Sequence, residues 1–185
     1  GGCAGWGWSN MGRHFVELEG HALGAAQWRG ASGPLKVSVH PSGDALCEAA
    51  LKAGQQIGTP TVDDVNLANT AGSGGLGYQT QTTWRGQRYS ASKAFLDPVR
   101  QRPNLTILTQ TNVLKINFVG QRATSVTIRV RKGQRQIGLR RELLVCAGAI
   151  ESPKLLQLSG VGPAPLLQSL GIPVISDSPA CCAFS

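Results

Sequence analysis

The stretch ELLVCAGAIESPKLLQLSG, residues 142–160, decides the fold of this chain. An apolar run ends at Ala147, and Gly148 then lets the backbone turn. Ser152 in a cap position and Pro153 at the first helical position predict a helix that carries Leu155 and Leu156. A strand end followed by a helix start is typical of an open α/β sheet, where this turn faces the crevice that binds ligands. An ordinary crossover without a ligand fits the same pattern, so both interpretations remain open at this point.

The residues around this stretch predict further strands and helices. Upstream, NLTILTQ (104–110) and NVLKINFVG (112–120) each predict a strand, and a hairpin is expected from Ser125 to Ala147. Downstream, PAPLLQSLG (163–171) predicts a short helix and IPVIS (172–176) a last strand. Cys146 lies inside the apolar run and is expected to be a small core residue.

The first half of the chain alternates in the same way. Helices are predicted over 6–20, over 42–58, and over 93–101, where Pro98 disturbs the end and Ser90 or Ser92 provides a cap. Alternating apolar residues predict strands at 35–39 and 78–84, and RGQR (85–88) predicts a turn. Together with the second half, this pattern predicts an α/β fold.

The hexapeptide GSGGLG, residues 72–77, has the spacing of a dinucleotide fingerprint but not its context. That fingerprint needs an apolar strand before the glycines and a helix directly after them. Here NLANTA precedes the glycines and the strand-like YQTQTTW follows them. The sequence therefore predicts a glycine loop that enters a strand.

A basic block runs from Arg100 to Arg141, with ten Lys or Arg and no Asp or Glu, in a chain of net charge +8. Such a block could bind nucleic acid or an acidic surface. However, Val126 and Ile128 alternate with Thr127 and Arg129, which is typical of a strand with one solvated face. No aromatic residues that could stack on bases lie among the charges. The solvated face is the favoured interpretation, and no nucleic acid partner is expected.

The remaining composition indicates an intracellular globular chain. It has five cysteines (Cys3, Cys47, Cys146, Cys181 and Cys182), and these form no C-x-x-C motif and no zinc-ligand spacing with the histidines. Free thiols and no bound metal are therefore expected. No apolar run approaches the length of a membrane span, so no transmembrane segment is expected.

At residues 148–162, GAIESPKLLQLSGVG resembles the second signature of the glucose–methanol–choline (GMC) family of flavin oxidoreductases. Ten positions match that signature: Gly148, Ala149, Ser152, Pro153, Leu155, Leu156, Ser159, Gly160, Val161 and Gly162. The resemblance extends over nearly the whole chain, through GWGW (5–8), WRGASGPLKVS (28–38) and the stretch from 66 to 116. Within the family, the chain is most similar to choline dehydrogenase-like and bacterial alcohol dehydrogenases.

The resemblance implies an FAD-dependent enzyme that oxidises a small alcohol by hydride transfer to the flavin. By position, the backbone of Val113 is expected to meet the adenine edge, and Ala147 and Gly148 to form the turn close to the flavin nucleotide. The implied domains are a connecting segment (1–35), part of a substrate-binding domain (36–92) and the later part of a partial Rossmann-like FAD-binding domain (93–178). The implied location is the bacterial cytoplasm, with membrane association open for a longer parent protein.

Two elements of the family pattern are missing from the chain. The G-x-G-x-x-G motif of the family lies upstream of Gly1 and the catalytic histidine lies downstream of Ser185, and His14, His21 and His40 match other positions. The tail 179–185 departs from the family pattern and is expected to be aberrant. We therefore expect an internal fragment that is inactive alone, with no catalytic residue of its own. A basic-faced binding or interaction scaffold without catalysis is the alternative.

Overall fold

The computed structural model describes residues 4–70 and 74–179, with the backbone alone at 68–70. The chain divides into two compact units, residues up to Leu105 and residues from Thr106 onward. Each unit combines helices with small sheets, which confirms the predicted α/β class. The domain boundaries expected at 35, 92 and 178 remain predictions. A division into compact units does not show which residues belong to a substrate-binding domain and which to a cofactor-binding domain.

Unit 1 is built around a three-stranded sheet in the order β1-β2-β3, in which β1 runs parallel to β2 and β3 runs antiparallel to it. Its elements are α1 (Trp8–Leu18), β1 (Glu19–His21), β2 (Leu35–Val39), α2 (Ala45–Gln56), α3 (Val65–Thr70), β3 (Thr80–Gln81), β4 (Thr83–Trp84) and β5 (Gln87–Arg88), followed by a π-helical turn (Ser92–Leu96) and a 3-10 turn (Asp97–Val99).

Most of the predicted elements of unit 1 are present. The helices over 6–20 and 42–58 form, and the carboxylate of Asp44 caps the second by accepting from the N–H groups of Leu46 and Cys47. The RGQR turn joins β4 to β5. Over 93–101 a π-helical turn and a 3-10 turn replace the predicted α-helix. Pro98 explains part of this change, because it lacks the N–H that an α-helix would require.

A buried ion pair joins two distant segments of unit 1. Arg29 Nη1 lies 2.8 Å from Asp64 Oδ2, and only 13% and 7% of these side chains are exposed. The remaining guanidinium donors reach the carbonyl groups of Gly24 and Leu23, while Asp64 Oδ1 caps α3. Every polar group of the pair therefore has a partner, which is the condition for burying charges without a large cost.

Unit 2 is an antiparallel sheet in the order β6-β7-β8, covered by one long helix. Its elements are β6 (Asn112–Val119), β7 (Arg122–Val130), β8 (Gly133–Gly138), α4 (Gly148–Leu158), β9 (Val161–Gly162), α5 (Ala164–Ser169) and β10 (Ser176–Asp177). The buried centre consists of Ile116, Val126 and Ile128, and Leu155 and Leu156 of α4 pack against it. Arg129 is exposed on the opposite face of β7, which confirms the predicted alternation of that strand. That this face is solvated rather than bound to nucleic acid stays a prediction.

Three predicted strands of unit 2 are wrong in whole or in part. Residues 104–110 form no strand, and Ile107 and Leu108 stay 37% and 44% exposed. The hairpin ends at Gly138 rather than at Ala147. Of the predicted last strand, 172–176, only Ser176 belongs to a strand, which is β10. The reason is the same in each case, since an apolar segment becomes a strand only when a neighbour supplies backbone hydrogen bonds. Among the described residues, no strand pairs with 104–110, 142–147 or 172–175.

The segment 142–147 shows this effect most clearly. Its side chains alternate like those of a strand, with Leu143 and Val145 packed on the core and Leu144 77% exposed. Cys146 was expected in the core but is an exposed free thiol, because its side chain, like that of Leu144, points outward in this alternation. Cys47 is also a free, exposed thiol, and the other three cysteines lie outside the described residues.

Helix α4 begins five residues earlier than predicted. Ala147 is its N-cap residue, so Ser152 and Pro153 lie inside the helix rather than at its start. The Ser152 hydroxyl nevertheless acts on the helix start, because its Oγ accepts a hydrogen bond from the Ala147 N–H at 2.9 Å. Pro153 is tolerated in the second turn at the cost of one backbone hydrogen bond.

Gly160 allows the chain to turn back sharply after α4. Its φ is +92°, and a Cβ atom at this position would lie 2.5 Å from the Pro173 carbonyl oxygen. The Gly160 carbonyl accepts from the N–H groups of Ile175 and Ser176, which brings β10 alongside β9. A side chain here would therefore separate the two segments.

We predict that Gly160→Ala destabilises unit 2 by about 2–4 kcal/mol, since it adds left-handed backbone strain to a steric overlap. Gly171→Ala is the matched control, because Gly171 also has a positive φ (+67°) but open space around it. The control should lose only about 1 kcal/mol of stability. The measurement is urea unfolding followed by amide NMR signals of β6 and β7, and equal losses in the two variants would contradict the steric explanation.

A second prediction concerns the pH dependence of unit 1. Burial, the largest single influence, raises the pKa of Asp64, but the Arg29 ion pair and the N–H groups of Leu67 and Asn66 together hold this pKa below its ordinary 3.8. A lowered pKa stabilises the fold above pH 3.8, and this stabilisation is lost as the pH falls below that value.

Tryptophan fluorescence reports this loss, because all four tryptophans precede Leu105. Asp64→Asn keeps a capping oxygen and removes the charge, so its unfolding midpoint should be lower at pH 6 and fall less steeply on acidification. Identical acid profiles for the two proteins would show that Asp64 carries no part of the pH dependence.

Candidate functional site

A cleft in unit 2 lies where three elements meet: the start of β6, the extended segment 142–147 and the start of α4. Its volume is about 660 Å³. The walls are mainly apolar, and they include Val113, Val126, Leu143, Val145, Ala147 and Leu155. Thr111 and Asn112 add polar groups at one rim. This combination of apolar walls with a few polar groups is typical of sites for small organic ligands.

The residues singled out by the family resemblance lie together in this cleft. Val113 and Ala147 both line it, although they are far apart in sequence, and Gly148 follows Ala147 at the start of α4. The segment 142–147 brings them together, because its inward residues Leu143 and Val145 pack on the same core as β6. Their role in cofactor binding stays a prediction, but their proximity is a feature of the structure.

The backbone of Val113 is available to a ligand. Strand β6 is an edge strand, and Ile116 donates its N–H to the Ser159 hydroxyl rather than to β7. Val113 lies opposite Ile128 and Ile116 lies opposite Val126, with a bulge between. Opposite residues of an antiparallel pair alternate between hydrogen-bonded and non-hydrogen-bonded positions, and Val126 and Ile128 are two residues apart on β7. The pair of Val113 with Ile128 is therefore of the same non-hydrogen-bonded type as the pair of Ile116 with Val126. The N–H and C=O of Val113 therefore face away from β7, as an exposed pair of donor and acceptor.

Gly148 provides room at the helix start. Its φ is +90°, and a Cβ atom built there would meet no atom within 4 Å. The first N–H groups of α4 lie here, and such groups lack partners within a helix. A ligand can thus approach the Ala147–Gly148 backbone closely from the cleft.

The charged side chains that line the cleft are Glu151 and Lys154. They pair with each other at 3.1 Å and are more than half exposed. The cleft therefore offers a nearly neutral environment, which suits a flat, uncharged base better than a phosphate.

A residue that exposes both its backbone N–H and its C=O can bind an adenine edge, which carries an amino donor beside a ring-nitrogen acceptor. These features fit the adenine end of FAD.

Apart from Leu155, which lines the cleft, the remaining signature residues lie outside its lining. Leu156 packs on the sheet core, and Ala149 and Pro153 lie within α4. Ser159 is 2% exposed and bonds to β6, and Gly162 accepts from the Ser178 N–H. The sequence marks these residues as a motif, but it does not reveal the partner of Ser159, which is 43 positions away.

Other candidates from the sequence do not form such a site. Gly72 and Ser73 of GSGGLG lie outside the described residues. The described part, from Gly74, bridges Thr61 through Leu76 and continues to β3 without a helix. Among the described residues, no group of three or more His, Cys, Asp or Glu is arranged to hold a metal ion. Likewise, no described helix has the length and apolar character that crossing a membrane requires.

The three histidines have surface or structural surroundings, as expected. His21 is buried, and its Nδ1 accepts from the Leu23 N–H at 3.1 Å. His14 is exposed beside Glu17. His40 is exposed, and its Nδ1 contacts the Pro41 carbonyl at 2.9 Å.

A second cavity, of about 380 Å³, lies in unit 1 between α2 and the residues that lead into β3. His40, Cys47 and Tyr78 are among its lining residues. The Tyr78 hydroxyl donates to Glu48 at 2.7 Å, and this bond raises the pKa of Tyr78. The hydrogen bond to Asp44 similarly raises the pKa of the Cys47 thiol. The thiol therefore stays protonated, and thus weakly nucleophilic, at neutral pH.

Comparison with known proteins identifies the family. The sequence profile described as GMC oxidoreductase matches residues 1–176. The oxygen-dependent choline dehydrogenase of Burkholderia pseudomallei (strain 1710b) is 40% identical over 175 residues, which cover 94% of this chain and 31% of that protein. The chain thus spans about a third of the length of the curated relatives it matches.

Two solved structures extend the comparison to the fold. Pyridoxine 4-oxidase from Mesorbium loti matches with a TM-score of 0.81 and 32% identity, over 94% of this chain and 34% of that chain. An FAD-dependent oxidoreductase from Chaetomium thermophilum matches with a TM-score of 0.82 and 33% identity, over 96% and 33% of the respective chains. The second of these proteins is described as FAD-dependent. The chain belongs to the GMC oxidoreductase family.

Proposed function

We propose that the cleft of unit 2 binds the adenine end of FAD, and that the chain is part of an enzyme that oxidises an alcohol by hydride transfer to this cofactor. One observation carries the proposal: the outward backbone of Val113 and the Ala147–Gly148 turn line or border one nearly neutral cleft. Family membership supports FAD as the ligand.

Within this proposal, each part of the cleft has a defined task. The Val113 N–H donates to a ring nitrogen of adenine, and the Val113 carbonyl accepts from its amino group. Leu143 and Val145 form a wall that excludes water, and the turn at Gly148 leaves space for the nucleotide. The bound flavin supplies the hydride acceptor, which no amino acid side chain can provide.

The substrate proposal is an alcohol of the choline class. It rests on the choline dehydrogenase relatives, which are about 40% identical to this chain. We assign residues 36–92 to the substrate-binding domain and 93–178 to the FAD-binding domain, with 1–35 as a connecting segment. A bacterial cytoplasmic location belongs to the same proposal.

The first test uses the isotope-labelled chain and ADP, which carries the adenine and pyrophosphate of FAD. Weak binding should shift the NMR signals of Val113, Ala147 and Gly148. Val113→Pro, which removes the donor, should bind ADP about fivefold more weakly, because one hydrogen bond contributes about 1 kcal/mol. Val113→Ala is the matched control, since it keeps the N–H and should bind ADP within about twofold of the unchanged chain.

Inorganic pyrophosphate is the second control in this titration. It carries the charge of ADP without the base, so it should leave the signals of the cleft in place. Equal ADP affinities of the proline and alanine variants would overturn the adenine assignment. Signals that move with pyrophosphate at Arg129 and Arg131 instead would support the basic-faced binding scaffold.

The second test concerns turnover by these 185 residues alone. We expect no choline-dependent reduction of added FAD, because none of the three histidines has the surroundings of a catalytic base: His21 is buried against a backbone N–H, and His14 and His40 are exposed. Choline-dependent bleaching of flavin absorbance would show that the chain is a complete catalyst. A sample without choline controls for photoreduction.

A further inference from the structure

We infer that Ser159 is a positioning residue for the nucleotide cleft, because its hydroxyl fixes the end of helix α4 to the outer edge of strand β6. This inference rests on the proposed function of the cleft. The N–H of Ile116 donates to Ser159 Oγ at 2.8 Å, and Oγ in turn donates to the Leu155 carbonyl at 2.6 Å.

Only a hydroxyl can serve both partners at this position. Its oxygen accepts from the strand N–H while its hydrogen reaches the helix carbonyl one turn earlier. Ile116 and Ser159 are each 2% exposed, so water does not replace either bond. Without the hydroxyl, the Ile116 N–H would remain buried and unpaired, which is costly.

The bond matters for the cleft because it connects the same two elements that form the cleft walls. Val113 lies on β6 three positions before Ile116, and Gly148 lies at the other end of α4 from Ser159. Helix α4 contacts β6 through the apolar side chains Leu155 and Leu156, which can slide along a sheet. The Ser159 bond adds a directional contact, and it thereby fixes where Gly148 lies relative to Val113.

A similar serine on the next helix shows what the bond to β6 adds. Ser169, at the end of α5, donates to the Leu166 carbonyl at 2.8 Å, which is the same kind of helix contact. Its hydroxyl is exposed, and among the described residues it hydrogen-bonds to its own helix. Ser169→Ala is therefore a matched control that removes a helix-end hydroxyl without touching β6.

The first measurement is amide hydrogen exchange by NMR. In the unchanged chain the Ile116 N–H should exchange slowly, although it lies on the outer edge of its sheet. Ser159→Ala should accelerate its exchange at least tenfold relative to the Ile128 N–H, which belongs to the interior of the sheet. Ser169→Ala should leave this ratio unchanged. A ratio that stays constant in Ser159→Ala would overturn the inference.

The second measurement is ADP affinity, taken where circular dichroism shows every variant folded. Ser159→Ala should weaken ADP binding at least fivefold and shift the free-state signals of Val113 and Gly148, whereas Ser169→Ala should do neither. Ser159→Cys keeps a weaker donor and acceptor, so it should give an intermediate affinity and remain informative if the alanine variant does not fold.

The two proposals fail in different ways. If the unchanged chain shows no ADP shifts at the cleft, the proposed function fails, while Ile116 exchange still tests the bond. If the unchanged chain binds ADP and Ser159→Ala binds it equally well, the cleft function stands and the positioning role of Ser159 is wrong.

Discussion

The buried hydrogen bond between the Ile116 N–H and the Ser159 hydroxyl is the contact on which the arrangement of unit 2 depends. Among the described strands, β6 pairs with β7 alone, so its outer edge needs other partners. Ser159 supplies one of them at the most buried position of that edge, and segment 142–147 covers the core beside it. Farther along the same edge, Val113 keeps its backbone groups exposed to the cleft. A single edge strand thus supports both the packing of α4 and the candidate site.

The local pattern of residues predicted the elements whose partners lie close in sequence. Val126 and Ile128 were correctly expected on the inner face of β7, and short hairpin turns connect β7 to both of its neighbours, β6 before it and β8 after it. The segments 104–110 and 142–147 have equally good strand patterns and form no strand. Alternation reports which side chains face inward, but it carries no information about whether a neighbouring strand exists. Leu143 and Val145 show this directly, since their side chains are packed while no described strand pairs with their backbone.

The candidate site was predicted only in part, for a related reason. Val113, Ala147 and Gly148 came from the family resemblance, and the residues alone suggested only the turn at Gly148. The partner of Ser159 could not be read from the sequence, because a serine after a leucine-rich helix fits a simple C-cap equally well. The Arg29–Asp64 pair in unit 1 was missed similarly, since its members are separated by 35 positions. Long-range polar contacts leave no periodic signal in a sequence.

The signature stretch 148–162 therefore combines two physical roles in one helix. Its first residues, Gly148 and Ala149, begin helix α4 next to Ala147, which lines the cleft, and the space around Gly148 is open. Its last residues, from Ser159 to Gly162, fix the helix end to β6 and bring β10 alongside β9. The two roles depend on each other, because space at one end of a rigid rod has a defined position only if the other end is fixed.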